Sequence, residues 1–118
     1  MIPSRLIRNM FEVIDANNFD ALYSYVDREI VYERPGFERV TGWDALLHFY
    51  RNVRVIRSGR HVLDTIVVDG DTAMSCGRFT GIQKDGTPVD IQFAELYRLA
   101  ADHSSLVFRR TYFFQRAV

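Results

Sequence analysis

The sequence predicts a single α+β domain, helical in its first half and built of antiparallel strands in its second. Apolar residues recur at helical spacing before Ser58, and from His61 onward the period of the pattern changes to two. A short extended segment, Ile30 to Arg34, interrupts the helices and ends at Pro35-Gly36. With 118 residues, of which 47% are hydrophobic, residues 1–118 are expected to form one domain with a sizeable core.

Two helices are predicted before the extended segment. The first follows a candidate cap at Ser4 and ends at Asn17-Asn18; its helically spaced apolar residues are Leu6, Met10, Val13 and Ile14. The second is short, with Asn18 as its cap, and its apolar residues are Phe19, Leu22, Tyr25 and Val26.

A third helix is predicted after the Pro35-Gly36 break. Thr41-Gly42-Trp43-Asp44 resembles a capping box, with an aspartate in the place of the usual glutamate or glutamine, and Ser58-Gly59 is expected to end the helix. The expected buried face carries Ala45, Leu46, Phe49, Tyr50 and Val53.

Four antiparallel strands are predicted after His61, separated by turn signals at Asp69-Gly70-Asp71, Lys84-Asp85-Gly86 and Ala101 to Ser105. In the third of these strands Glu95 lies within an apolar stripe of Ile91, Phe93, Tyr97 and Leu99. The second strand is expected to bury the face that contains Met74, Cys76, Arg78, Thr80 and Ile82, and its other face carries mostly small residues. Both faces of the last strand mix polar and apolar residues, so the pattern does not orient Arg109.

Composition excludes several function classes. Fifteen basic and fifteen acidic residues give a net charge of zero, so nothing attracts the chain to nucleic acid or to an anionic membrane surface. Cys76 is the single cysteine, and the N-terminal residues lack the apolar core of a secretory signal, so a cytoplasmic protein is expected. No apolar run approaches the roughly 20 residues that span a bilayer. The spacing of the histidines does not suggest a metal site, and no glycine-rich phosphate or dinucleotide motif is present, so no cofactor is expected.

The order helix, helix, strand, helix and four strands resembles the nuclear-transport-factor-2-like superfamily, and within it the SnoaL-like polyketide cyclase and ketosteroid isomerase branch. The resemblance covers about Asn9 to Phe114 and rests on FEVIDANNFDALYSYV, VYERPGFERVTGWDALLHFYR, VVDGDTAM and the Glu95 strand. It implies a cone-like, curved, mostly antiparallel sheet wrapped around three N-terminal helices, as in a cystatin-like α+β barrel. It also implies an apolar pocket for a small substrate and a homodimer formed through the outer face of the sheet.

The match to ketosteroid isomerase is partial. Arg34 stands where that enzyme keeps its catalytic base, and a guanidinium cannot accept a proton near neutral pH. Met10 replaces the tyrosine of the first helix, whereas Glu95 matches the second carboxylate and Tyr50 is retained. Steroid isomerisation by that constellation is therefore not expected.

The family pattern implies a pocket with convergent polar groups. The expected catalytic residues are Glu95, His61, Arg34 and Arg78, and the expected substrate-binding residues are Met10, Tyr32, Phe49, Tyr50, Cys76, Phe93, Tyr97, Arg109 and Phe113. In this hypothesis His61 and Glu95 transfer protons, and Arg34 or Arg78 stabilises the developing negative charge during a cyclisation or isomerisation of an apolar carbonyl compound, polyketide-like or terpenoid-like.

Structural roles are alternatives for each of these residues. Glu95 could form an ion pair with Arg78 or Arg109, because a buried charge without a partner is costly. His61 begins its predicted strand and could be a partly exposed edge histidine, and Arg34 could form a surface salt bridge with Glu33 or Glu38. Phe49 and Tyr50 could belong to the helix core, and Cys76 could be a small buried hydrophobe.

Three function classes remain open. The first is a cofactor-free cyclase or isomerase, and the second is an epoxide-opening enzyme, which needs a second carboxylate from Asp64 or Glu33 beside Glu95. The third is a non-catalytic module that binds a ligand or dimerises. Phe108, Tyr112 and Phe114 supply aromatic residues for the expected dimer face.

Overall fold

A six-stranded sheet packs one face against the helices of the first half of the chain, in a computed structural model that describes residues 2–114. The elements are α1 (Pro3–Asp15), a 3₁₀ helix (Phe19–Ser24), β1 (Val26–Glu33), β2 (Val40–Thr41), α2 (Trp43–His48), a π-helical turn (Phe49–Val53), β3 (Ile56–Asp69), β4 (Thr72–Gln83), β5 (Pro88–Leu99) and β6 (Leu106–Phe114). The curved, cone-like α+β architecture expected from the sequence is confirmed.

The strand order is β2-β1-β6-β5-β4-β3, and all neighbours are antiparallel except β1 and β6. The parallel pairing joins the first strand of the chain to the last, with Tyr32 opposite Arg109. On the other side of β6, Glu95 lies opposite Thr111. This topology brings polar side chains from β1, β5 and β6 together on the inner face of the sheet.

Helix α1 covers the sheet with an apolar stripe. Pro3 occupies the first turn, where its missing N–H has no partner to lose, and the stripe of Leu6, Ile7, Met10, Phe11 and Ile14 is fully buried. Each such side chain contributes about 1.5–3 kcal/mol by leaving water. The stripe packs against β3, which fixes the position of this strand relative to the cavity described below.

The predicted helix boundaries are partly wrong. Ile2, rather than Ser4, occupies the N-cap of α1, and Asn18 makes no side-chain capping bond to the short 3₁₀ helix. Val26 was expected to be helical, but strand β1 begins at this residue. The reason is its pairing with Leu106 of β6. The predicted capping box is also absent, since Gly42 caps α2 with a φ of 88° and no side-chain bond.

The third helix ends at Val53, and Ser58-Gly59 lies within β3. The pairing of Ser58 with Ile82 and of Gly59 with Gly81 overrides the local turn composition. A Cβ at residue 59 would collide with the ring of Phe79, so the glycine serves close strand packing rather than a helix end.

The prediction that β4 buries Cys76 and Arg78 is wrong. The buried residues are Ala73, Ser75, Gly77 and Phe79, on the opposite face. The reason is the register with β5, which places Ser75 opposite Glu95 and Gly77 opposite Phe93 on the buried face of the sheet. The alternate residues of β4 therefore face water. Arg78 is 57% exposed and pairs with the exposed Asp90.

Among the described residues, no helix is both long enough and apolar enough to cross a membrane.

Candidate active site

A cavity of about 450 Å³ opens between the inner face of the sheet and the π-helical turn. We call it the central cavity. Its lining is largely apolar and aromatic, with a few charged groups, which is the usual character of a small-molecule site. The lining residues are Tyr32, Arg34, Pro35, Gly36, Tyr50, Arg54, Val55, Ile56, His61, Phe79, Gln83, Val89, Ile91, Phe93, Glu95, Arg109, Thr111 and Phe113.

Glu95 and Arg109 form a buried bidentate ion pair in the cavity wall. Nε and Nη2 of Arg109 each donate to one Glu95 oxygen at 2.9 Å, and the two side chains are 1% and 3% exposed. Thr111 donates a further bond of 2.7 Å to Glu95 Oε2. Both carboxylate oxygens are therefore occupied by donors, so Glu95 has little freedom to accept a proton.

The pair is part of a larger network. Arg109 Nη1 donates to the Tyr50 hydroxyl at 2.8 Å. The Tyr32 hydroxyl lies 3.2 Å from Thr111 Oγ1, and the centroid of the Tyr32 ring lies 4.2 Å from the guanidinium carbon of Arg109. Burial raises the pKa of Tyr50 to about 12, so this hydroxyl remains protonated. The network satisfies the buried charges and fixes β1, β5, β6 and the π-helical turn relative to one another.

The electrostatics of Glu95 confirm that the carboxylate is ionised at neutral pH. Burial alone would raise its pKa, but the charge of Arg109 and the hydrogen bonds from Arg109 and Thr111 outweigh burial and lower the pKa. Burial opposes the charge of Arg109 as well, yet Glu95 raises the pKa of Arg109. We therefore assign the fully charged pair.

His61 lines the cavity and is oriented by Asp15 at the end of α1. The imidazole Nδ1 lies 2.5 Å from Asp15 Oδ1, and the backbone N–H of His61 donates to Oδ2 at 2.8 Å. A carboxylate only accepts hydrogen bonds, so Nδ1 carries the proton of this contact. Among the described residues, none hydrogen-bonds to Nε2. His61 does lie on an edge strand of the sheet, β3, but it does not begin the strand, which starts at Ile56. Its side chain is only 12% exposed and faces the cavity.

Three aromatic rings surround the imidazole, those of Phe11, Phe79 and Phe93, at centroid distances of 4.5, 4.6 and 5.4 Å. Burial lowers the pKa of His61, and the hydrogen bond and charge of Asp15 oppose this only in part. The imidazole is accordingly neutral at neutral pH, with a lone pair on Nε2.

Arg54 follows the π-helical turn and is 5% exposed. Its backbone N–H bonds to the carbonyl of Phe49, five residues back, which widens the helix by one residue and sends the side chain into the cavity. The guanidinium stacks on Tyr50 and Phe79 at 5.4 and 5.8 Å, and its Nε is buried without a hydrogen-bond partner. Burial lowers the pKa of Arg54.

Arg34 resembles Arg54 in its surroundings. It lies directly after β1, and its guanidinium contacts the rings of Phe37, Phe49 and Phe113 at 5.3 to 5.6 Å. Its Nε is also buried without a partner. The alternative of a surface salt bridge with Glu33 or Glu38 is wrong, since Arg34 pairs with neither among residues 2–114 and Glu33 binds Arg39 and Arg110 instead.

The structure brings together eight of the predicted site residues around the cavity, namely Tyr32, Arg34, Tyr50, His61, Phe93, Glu95, Arg109 and Phe113. Met10, Phe49 and Tyr97 are buried in the core and do not line the cavity, and the Tyr97 hydroxyl bonds to Ser75 at 2.7 Å. Cys76 and Arg78 lie on the exposed outer face, so their expected inward position is wrong.

Sequence reasoning missed Asp15, Arg54 and Thr111. Asp15 precedes His61 by 46 residues, and nothing in the local pattern connects them. Arg54 was hidden in a segment read as regular helix, where a π-helical turn leaves no mark on apolar spacing. Thr111 could have been found, because it shares a strand face with Arg109.

Among residues 2–114, no three His, Cys, Asp or Glu side chains cluster as metal ligands would.

A family model described as a SnoaL-like domain matches residues 7–105. No curated protein matches the sequence significantly.

Solved structures share the fold at low sequence identity. A protein of unknown function from Burkholderia pseudomallei, described as NTF2-like, superposes with a TM-score of 0.84 at 15% identity, over 95% of this chain and 90% of that one. A candidate SnoaL-like polyketide cyclase from Jannaschia sp. gives 0.80 at 16% identity, over 94% and 84% of the two chains. An LEH-like epoxide hydrolase from M. tuberculosis gives 0.77 at 19% identity, over 93% and 80%. At these identities the likeness shows the fold alone.

Proposed function

The chain belongs to the SnoaL-like domain family, and from that premise we propose that it is an enzyme that transfers protons on an apolar, carbonyl-containing small molecule held in the central cavity. The observation that carries this proposal is the buried His61 imidazole, which lines the cavity and is fixed through Nδ1 by Asp15.

His61 has the properties of a general base. Its Nδ1–H is donated to Asp15, so the lone pair lies on Nε2, and burial keeps the ring neutral at neutral pH. Asp15 also stabilises the imidazolium that forms when the ring accepts a proton, as carboxylates do in catalytic triads.

Arg54 suits the stabilisation of negative charge on oxygen. It lines the same cavity, and its charge acts on His61. In the proposed reaction Nε2 removes a proton from a carbon beside a carbonyl group, and the electrons of the C–H bond move onto the carbonyl oxygen to form an enolate. In an isomerisation the imidazolium returns the proton to another carbon of the conjugated system. In a cyclisation the enolate carbon attacks a second carbonyl, and the resulting alkoxide takes the proton.

Glu95 receives a different role from the one the sequence suggested. With both oxygens bonded to Arg109 and Thr111 and its pKa lowered, it is a poor proton carrier. We assign it the task of holding Arg109 and, through Arg109, the Tyr50 hydroxyl.

The test needs no knowledge of the natural substrate. A panel of apolar diketones and cyclic ketones is incubated with the protein in deuterium oxide, and deuterium incorporation beside the carbonyl is followed by NMR. We expect exchange that His61→Gln reduces about 10²–10⁴-fold, as loss of a general base does. His48→Gln, at an exposed histidine of α2, is the matched control and should exchange at the wild-type rate. Equal exchange by wild type and His61→Gln would refute the proposal.

Epoxide opening is the weaker enzyme candidate. The neighbour from M. tuberculosis is named as an epoxide hydrolase. However, the second carboxylates expected for this reaction, Asp64 and Glu33, do not line the central cavity, since Asp64 is exposed and Glu33 pairs with Arg39 and Arg110. Hydrolysis of an apolar epoxide by wild type, lost in a Glu95→Gln protein that circular dichroism shows to be folded, would favour this reaction over proton transfer.

A non-catalytic binding module is the remaining alternative. It predicts ligand binding in the cavity without proton exchange or turnover for any compound of the panel. The free Nε2 of His61 argues for a role toward a ligand, because a purely structural histidine in an aromatic setting gains nothing from a free lone pair. Proton exchange in the panel is the result that separates the enzyme from the binding module.

We also propose that the protein is a cytoplasmic homodimer. Exposed apolar side chains of β3, β4 and β6 lie together on the outer face of the sheet and form what we call the outer apolar patch: Val67, Met74, Cys76, Tyr112 and Phe114. Such a patch on a small protein marks an association surface. The free thiol of Cys76 suits a reducing compartment.

A further inference from the structure

The central cavity contains more positive charge than its own residues neutralise. Of the charged residues that line it, Arg109 is neutralised by Glu95, whereas Arg34 and Arg54 form no ion pair with any carboxylate of residues 2–114. The charge of Asp15, which does not line the cavity, acts on Arg54, but both Asp15 oxygens are engaged by His61. The cavity that results is net positive.

Both guanidiniums are also short of hydrogen bonds. The Nε atoms of Arg34 and Arg54 are the buried side-chain nitrogens that remain without a partner among the described residues. An unsatisfied buried donor costs free energy, and the cost is larger when the group is charged. Aromatic rings lie 5.3 to 5.8 Å from the central carbon of each guanidinium. A guanidinium that lines a cavity binds a carboxylate through two of its N–H groups in a fork.

Stabilising a transient enolate does not account for two such groups. An enolate carries one negative charge, exists only during the reaction and leaves both guanidiniums unpaired while substrate binds. The two arginines also repel each other, because the charge of Arg34 lowers the pKa of Arg54 beyond the effect of burial. A negative charge carried by the bound ligand offsets this repulsion and gives both arginines of the cavity lining a counter-charge.

We propose that the natural substrate is an apolar molecule with one carboxylate, and that this carboxylate docks between Arg34 and Arg54. The inference rests on the function proposed for the cavity and adds the substrate class. The apolar body lies against Ile91, Phe93 and Phe113, and the carboxylate anchors the carbonyl-bearing part beside His61. Arg34 is thereby a substrate-binding residue at the position where ketosteroid isomerase has its catalytic base.

The test compares two ligands that differ only in charge. Cinnamate carries the carboxylate on an apolar body, and cinnamamide is its neutral counterpart of the same shape. NMR titrations of the protein give the Kd of each. We expect cinnamate to bind at least about tenfold more tightly, since a hydrogen bond to a charged group is worth that factor or more. Equal affinities in the wild-type protein would overturn the proposal.

Substitutions then locate the anion. Arg54→Gln and Arg34→Gln should each weaken cinnamate binding about tenfold and leave cinnamamide unchanged. Arg57→Gln, at an exposed arginine of β3, is the matched control and should change neither Kd. If Arg54→Gln does not fold, Arg34→Gln at the less buried position decides. A charge preference that survives both cavity substitutions would contradict the proposed docking position.

A His61→Gln arm separates this inference from the proposed function. The variant should lose proton exchange and keep the preference for cinnamate, because His61 does not contact the carboxylate in our assignment. Wild-type protein that binds cinnamate selectively but exchanges no proton refutes only the enzymatic proposal. Wild-type protein that exchanges protons without charge preference refutes only the carboxylate site.

Discussion

At the scale of single residues, His61 and Glu95 show how the same cavity gives two titratable groups opposite tasks. Glu95 is held by three donors, from Arg109 and Thr111, and its charge is fully used. His61 is held at one nitrogen only, by Asp15, and the other nitrogen is left for a ligand. Glu95 is structural and His61 is available for reaction because hydrogen-bond partners occupy both oxygens of Glu95 but only one nitrogen of His61.

The pH dependence of activity should follow His61. Burial lowers its pKa below the ordinary value of 6.5, so the exchange rate should stay constant around neutrality and fall as the pH drops through this lowered pKa. Asp15→Asn removes the hydrogen bond and charge that raise the pKa, so the acid limb should move to lower pH. The amide can also donate to Nδ1 and shift the imidazole proton to Nε2, which lowers the rate at every pH. A pH–rate profile of both proteins checks this, and an unchanged limb would contradict it.

Stability should respond to the same group with a defined sign. Because the pKa of His61 is lower in the folded protein, its contribution to the free energy of unfolding is fully present above about pH 6.5. This contribution is lost as the pH falls through the pKa of the folded state. The unfolded chain binds the proton first in that range.

Loss of one partner of the Glu95–Arg109 pair should destabilise the fold strongly. Glu95→Gln leaves a buried guanidinium without its counter-charge, and we expect the free energy of unfolding to fall by about 3–5 kcal/mol. The double variant Glu95→Leu/Arg109→Met should lose less stability than the sum of the losses in Glu95→Leu and in Arg109→Met, because no unpaired charge remains in the double variant. Urea unfolding measures all of these. Glu29→Gln, at an exposed glutamate, is the control; an additive double variant would argue against the pair.

The residue scale also shows what could be predicted from sequence. Glu95 was placed correctly inside a buried stripe, because strict alternation of apolar residues defines one strand face. Arg78 and Cys76 were misplaced, because β4 offers mixed side chains on both faces and the long-range register with β5 decides which face is buried. The Asp15 contact depends on how α1 packs across β3, which a single sequence does not encode locally.

At the scale of elements, the bend of the β3–β4 hairpin shapes the cavity. A bulge between Leu63 and Thr65 shifts the register next to His61, and at Gly77 the backbone of β3 leaves no room for a Cβ. Long strands and their turns were predicted well from alternation. The start of β3 was not, since Ser58-Gly59 has the composition of a helix end and the pairing with β4 is long-range.

Gly77→Ala should therefore disturb the hairpin. A methyl group at this position overlaps the Val62 carbonyl, and overpacking of this kind costs about 1–3 kcal/mol or more. Gly70→Asn provides the control, because Gly70 has open space around it and a φ of 59°, which asparagine tolerates. In thermal unfolding, the melting temperature of Gly77→Ala should be well below that of the control. A Gly77→Ala protein as stable as wild type would show that the strands separate without cost.

At the scale of the whole molecule, the outer apolar patch predicts self-association. Tyr112 and Phe114 are 44% and 73% exposed, and they continue the apolar surface of Met74 and Cys76 across the sheet. Light scattering should return about twice the chain mass of 13.8 kDa. Tyr112→Arg should shift the protein toward monomer, because two copies of the patch would then face like charges. A monomer over a wide concentration range for the wild-type chain would contradict the dimer.

The unpartnered guanidinium of Arg54 has a consequence for the protein without ligand: the fold is less stable than it would be with an apolar side chain at residue 54. Arg54→Met keeps an unbranched side chain between Tyr50 and Phe79 and removes a buried charge, so the melting temperature should rise, by the equivalent of about 0.5–2 kcal/mol. Arg109→Met, the same exchange at an arginine with a carboxylate partner, should lower it. A fall in both variants would mean that Arg54 supports the fold. Opposite signs would show that Arg54 lowers the folding stability and that its role lies in the cavity. A negatively charged compound that binds Arg54 should then raise the melting temperature of the wild-type protein.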